Sequence, residues 1–124
     1  MLPQLSAAVR VFLCTRPTDL RKGFDGLSGL VQECFSQDVL TGHLFLFLNR
    51  RRDRIKILYF DRDGLVIWYK RLEVGCFQSL EPTPGAAQLA GAAGFELSVT
   101  DLALILNGID LATARRRKRY SRVG

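Results

Sequence analysis

The 124-residue, 13.9 kDa chain has the length of a single domain, and its 48 % hydrophobic and 24 % charged residues let it bury a core rather than stay disordered. No apolar run approaches the roughly twenty residues that cross a bilayer, and Met1–Val9 lacks the basic start and apolar stretch of a secretory signal, which excludes a membrane protein and points to the cytoplasm. The net charge of +6 is local: six of the eighteen Lys and Arg fall within Arg115–Gly124, and without that stretch basic and acidic residues balance at twelve each.

Val9–Leu13 reads as a short strand, ended by the turn-forming Thr15-Arg16-Pro17-Thr18. Leu20, Phe24, Leu27, Val31, Cys34 and Phe35 then recur at spacings of three and four, the apolar stripe of an amphipathic helix. Thr18 or Asp19 can accept from its orphan N-terminal amides. Gly23, Gly26 and Gly29 lie off that stripe, each at about 1 kcal/mol relative to Ala. Two readings stand: a shallow track where a partner backbone or nucleic acid approaches, or a first turn that is in fact loop.

After a loop at Asp38–His43 come three strands, Leu44–Leu48, Ile55–Phe60 and Leu65–Lys70. Their links are Asn49–Arg54 and Asp61-Arg62-Asp63-Gly64, whose Asp-Gly step suits a tight hairpin turn. Links this short admit no crossover helix, so these strands form an antiparallel meander. Glu81–Gly94 is rich in Pro, Gly and Ala and reads as a flexible insertion. A final helix is predicted over Val99–Asn107. Ser98 is its N-cap, Asp101 stands in for the capping-box Glu, Leu97 and Leu102 form a hydrophobic staple, and Gly108 is the C-cap. The expected fold is α+β: a small antiparallel sheet of three or four strands, one long helix packed on it and a short C-terminal helix. Residues 1–113 form the domain and 114–124 a basic, flexible tail.

Cys14, Cys34 and Cys76 are an odd number with no close pair in sequence, and His43 is the only histidine. This opposes a disulfide framework and a zinc site, so buried free thiols and no metal or cofactor are expected. His43 reads as a loop or strand-edge residue, and Tyr59, Trp68 and Tyr69 as core or interface aromatics. The cationic residues are more informative. Arg50, Arg51, Arg52 and Arg54 lie in or beside a hairpin loop, with Lys56 on the same sheet face as Arg54. Arg115, Arg116, Arg117, Lys118, Arg119 and Arg122 form a second cluster, with Tyr120 among them as a candidate for base stacking. Guanidinium forks match phosphate oxygens, which makes nucleic acid the natural partner. Against that stands a solubilising loop with a disordered end. Asp61, Asp63 and Glu73 could in principle hold Mg²⁺ for phosphodiester cleavage, but Asp is common in hairpin turns for local reasons. Nucleophile-elbow and P-loop signatures are absent, so no enzyme is expected.

The stretch Thr18-Asp19-Leu20-Arg21-Lys22-Gly23-Phe24-Asp25-Gly26-Leu27 closely resembles the opening signature of the accessory proteins encoded by the second reading frame of IS-sixty-six insertion sequences. The similarity continues through Gly42-His43-Leu44-Phe45, Ile55-Lys56-Ile57-Leu58, Asp61-Arg62-Asp63-Gly64-Leu65, Lys70-Arg71-Leu72-Glu73 and Leu102–Asp110. The chain departs from the family pattern at Gly75–Leu80 and at Leu111, where members tend to carry Trp. The resemblance implies a bacterial accessory factor of a mobile element that acts alongside a separate transposase, and it supplies no catalytic residue. It also makes Arg21, Lys22, Gly23, Asp25 and Gly26 candidates for contact with a partner or DNA. The expected function is non-enzymatic DNA binding in transposition. Its rivals are a protein-interaction adaptor that assembles with the transposase or with itself, and a metal-dependent nuclease.

Overall fold

The computed structural model describes residues 8–78 and 93–107, together with the short strands Ile109–Asp110 and Arg115–Arg116. Strands β1 (Val11–Cys14), β2 (Leu44–Leu48), β3 (Arg54–Asp61), β4 (Gly64–Arg71) and β5 (Gly94–Leu97) form one sheet in the order β4-β3-β2-β1-β5. Helix α1 (Phe24–Phe35) lies between β1 and β2 in the chain, and α2 (Val99–Asn107) follows β5. The two-residue strands β6 (Ile109–Asp110) and β7 (Arg115–Arg116) pair antiparallel with each other.

The expected meander is present: β2, β3 and β4 pair antiparallel, with Leu46 opposite Ile57 and Ile57 opposite Trp68. The whole sheet, however, is mixed rather than antiparallel. β1 runs parallel to β2, Phe12 beside Phe45, because α1 supplies the crossover that a parallel pair requires. β5 is a fifth strand, antiparallel to β1, and it begins inside the stretch read as an insertion. Gly94 is there for a steric reason. A Cβ at this position would overlap the Phe35 ring and lie 3.3 Å from the Cys34 carbonyl oxygen, so only glycine lets β5 pass the end of α1.

α1 also starts later than the apolar stripe suggests. Its N-cap is Gly23, with no side-chain cap. The Asp19 carboxylate accepts instead from Arg21 N at 3.0 Å, and the Asp19 carbonyl accepts from Lys22 N at 3.2 Å. A local turn thereby uses the group that would have capped a longer helix. Gly23 accordingly belongs to the preceding loop, and a Cβ there or at Gly29 would meet nothing within 4 Å. Gly26 and Gly29 lie exposed on α1.

Side-chain alternation gives the sheet two covered faces. Phe12, Phe45 and Phe47 share the α1 face, where Phe35 packs 5.8, 5.4 and 5.8 Å from them, ring centre to ring centre. Lys70 belongs to the opposite face, through its pairing with Ile55, and its Nζ donates to the Leu106 carbonyl of α2 at 3.1 Å. β1 and β2, central in the sheet, are therefore buried at every residue. α2 has the limits expected of it. Ser98 Oγ accepts from Asp101 N at 3.0 Å, and Leu97 and Leu102 are buried. Gly108, its expected C-cap, lies outside the described residues. Cys14 and Cys34, distant in sequence, meet beneath the last turn of α1 with sulfurs 3.6 Å apart, both free. Among the described residues no helix is long and apolar enough to cross a membrane.

Candidate nucleic-acid interface

The β2–β3 loop is held by Asn49. Its amide donates to the Asp53 carboxylate at 2.7 Å and its Oδ1 accepts from Arg54 N at 3.1 Å. That contact holds the Asp53 carboxyl below its ordinary range, with Arg51 and Arg54 adding to the effect. Arg52 takes a left-handed backbone, φ 57°, which disfavours a side chain by about 1–2 kcal/mol. Its carbonyl accepts from Phe77 N at 2.6 Å, and the Asp53 carbonyl accepts from Leu72 N at 2.7 Å. The segment after β4 thus braces the loop from behind while Arg50, Arg51 and Arg54 stand exposed. Among the described residues none of Arg50, Arg51, Arg52 and Arg54 forms an ion pair.

The segment before α1 packs beside this loop. Thr18 N donates to the Leu48 carbonyl at 2.8 Å, which fixes Pro17–Leu20 against the end of β2. Between them runs a groove of about 580 Å³ lined by Pro17, Thr18, Asp19, Leu20, Asn49, Arg50 and Arg51. Asp19 is the carboxylate in that lining, and Arg21 neutralises it through a two-pronged contact of 3.0 and 2.8 Å. Arg21 pulls the Asp19 carboxyl down to about 2. Lys56 sits deeper: its Nζ donates to the Lys22 carbonyl at 2.9 Å and lies 4.9 Å from the centre of the Tyr69 ring. Arg54, Lys56, Tyr69 and Arg71 share one sheet face by register, and Arg71 is paired with Glu73 at 2.8 Å.

The two stretches singled out in sequence, residues 18–26 and 50–56, therefore meet in space. Lys22, Gly23, Asp25 and Gly26 are exposed at the start of α1. Arg115 and Arg116 form β7, whereas Arg117, Lys118, Arg119, Tyr120 and Arg122 lie outside the described residues, as does most of the 81–94 stretch. The carboxylates proposed for a metal do not converge. Asp61 and Asp63 are exposed at one end of β4 and Glu73 follows the other, a separation of about 25 Å along an eight-residue strand. His43 is structural: its Nδ1 accepts from Arg10 N at 3.0 Å, and burial, then Arg10, pushes its pKa below the ordinary value. Tyr59 is buried, Trp68 half-buried and Tyr69 49 % exposed. Asn49 and Arg16 are functional residues that composition and charge do not mark. The first is a polar residue at the mouth of a hairpin, a signal of turn closure; the second becomes informative only where it meets a sulfur.

The sequence profile of a family described as IS66 Orf2 like protein matches residues 9–116. The chain is 30 % identical over 112 residues to the uncharacterized protein y4jC of Sinorhizobium fredii, covering 90 % of this chain and 89 % of the relative. It is 33 % identical to the uncharacterized protein y4hO of the same organism over 124 residues, the full length of both. No solved structure matches it significantly.

Proposed function

Because the chain belongs to the IS66 Orf2-like family of insertion sequences, we propose that it is a non-enzymatic accessory protein of transposition that grips DNA and acts with the transposase of the same element. The observation that carries this reading is the groove between Pro17–Leu20 and Asn49–Arg51. It joins two separate stretches into one basic surface whose lining carboxylate is already neutralised. The loop arginines form no ion pair among the described residues, so their forks remain available to phosphate. The tail cations from Arg115 to Arg122 supply a second anchor by charge alone. The scattered positions of Asp61, Asp63 and Glu73 support a binding role over cleavage.

A fluorescence titration of duplex DNA at several salt concentrations tests this. Element-end and scrambled duplexes are compared for the intact protein, a variant with Arg50, Arg51 and Arg52 changed to Ala, and a chain ending at Thr113. Log K should fall with log salt at about −0.9 per phosphate neutralised, and the slope should shrink by about one per arginine removed. A chain lacking both clusters that binds as well as the intact one sinks the reading.

The outer edge of β4 favours a second reading, that of an adaptor. It carries no strand partner among the described residues, and an open edge of this length is a template for another chain. Phe24 and Tyr69 are also about half exposed. A monomer by light scattering that fails to co-purify with the transposase rules it out.

A further inference from the structure

The last residue of β1 and the penultimate residue of α1 bring two thiols together. Cys14 Sγ lies 3.6 Å from Cys34 Sγ and 3.5 Å from the Arg16 carbonyl, the two acceptors within reach of its S–H, and Arg16 Nη2 donates to the Cys34 sulfur at 3.3 Å. The thiols are 4 % and 1 % exposed, yet both line a cleft of about 220 Å³ rimmed by the exposed side chains of Arg16 and Glu33. Packing alone explains two small apolar groups in a core. It does not explain a guanidinium aimed at one of the sulfurs from an open cleft.

We propose that Cys14 and Cys34 are an oxidation site, at which hydrogen peroxide oxidises Cys34 and Cys14 resolves the product into an intramolecular disulfide. Cys34 Sγ, which accepts from the Arg16 guanidinium, attacks one peroxide oxygen. The S–O bond forms as O–O breaks, the sulfur gives two electrons to the peroxide, and the thiol proton leaves with the departing hydroxide as water. Cys14 Sγ then attacks the sulfenic sulfur. The S–S bond forms as S–O breaks, and the Cys14 proton leaves with the hydroxyl as a second water. Burial pushes the Cys14 thiol up to about 11, which keeps it protonated and disfavours it as the first nucleophile. The sulfurs must close by about 1.5 Å to reach bonding distance. The new bond ties β1 to the end of α1 and encloses the Pro17–Lys22 segment in a covalent loop.

The full chain carrying Cys76→Ser, treated with hydrogen peroxide, tests this without touching either thiol. Its intact mass should drop by two hydrogens and recover on reduction. Trypsin should then release residues 11–21 joined to residues 23–50. In the Cys14→Ser variant the reaction should stop at a Cys34 sulfenic acid that dimedone traps, and Arg16→Ala should slow disulfide formation about tenfold, the value of one charge-assisted hydrogen bond. Two alkylatable thiols surviving in the folded Cys76→Ser protein, at a peroxide dose that oxidises the denatured chain, overturn the assignment. So does a linkage found only between separate chains.

Discussion

Gly94 and Gly29 show how one residue type has opposite meanings in one molecule. At Gly94 a methyl group overlaps the Phe35 ring and crowds the Cys34 carbonyl, so Gly94→Ala should lower stability by about 1–3 kcal/mol through overpacking. At Gly29 a methyl meets nothing within 4 Å on a helix, so Gly29→Ala should raise stability by about 0.5–1 kcal/mol. Urea denaturation reads both as shifts in midpoint at constant slope. Asp19 gives a second test at this scale. Its carboxyl is held near 2 by Arg21, below its unfolded value. Its contribution is therefore complete above the unfolded value and lost as pH falls through about 2. A carboxyl NMR titration should find that midpoint, and Arg21→Ala should return it toward the ordinary value of 3.8.

The β2–β3 loop is the element on which the proposed DNA contact depends, and Asn49 closes it. Asn49→Ala removes the Asp53 contact and leaves Arg54 N without its side-chain partner, which should cost about 1–2 kcal/mol and weaken DNA binding while leaving every arginine in place. Unchanged affinity in the titration would show that the loop's shape is immaterial. At this scale the sequence was legible where local rules decide. The meander followed from short links, and α2 from Ser98 and its staple. It was illegible where distant contacts decide. Nothing near Gly94 announces a strand, because Phe35, far away in the chain, creates the need for glycine there. The apolar stripe through Leu20 predicted a longer helix, but Leu20 is buried from a turn that Asp19 stabilises. The candidate site was half visible: the Arg-rich loop could be named by its charge and residues 18–26 by resemblance, and their meeting through Thr18 and Leu48 could not.

In the whole molecule, β1 holds a central place. It pairs with β2 on one side and with β5, about eighty residues later, on the other. Arg10 reinforces that distant pairing with two hydrogen bonds to Glu96, at 3.0 and 2.8 Å, and lies over the Phe12 ring. The consequence is one of timing. A ribosome delivers β1, α1 and the meander before it makes Gly94–Leu97, so the nascent chain carries the groove while one side of its central strand still lacks a neighbour. Such late, long-range closure slows folding and exposes an edge that seeks partners. A fragment ending at Gln78 should accordingly accept a synthetic peptide of residues 93–107 in trans, with the amides of Val11 and Leu13, which face β5, gaining hydrogen-exchange protection only when the peptide is added. Of the five strands in this sheet the one made last completes it, and folding waits for translation to pass it.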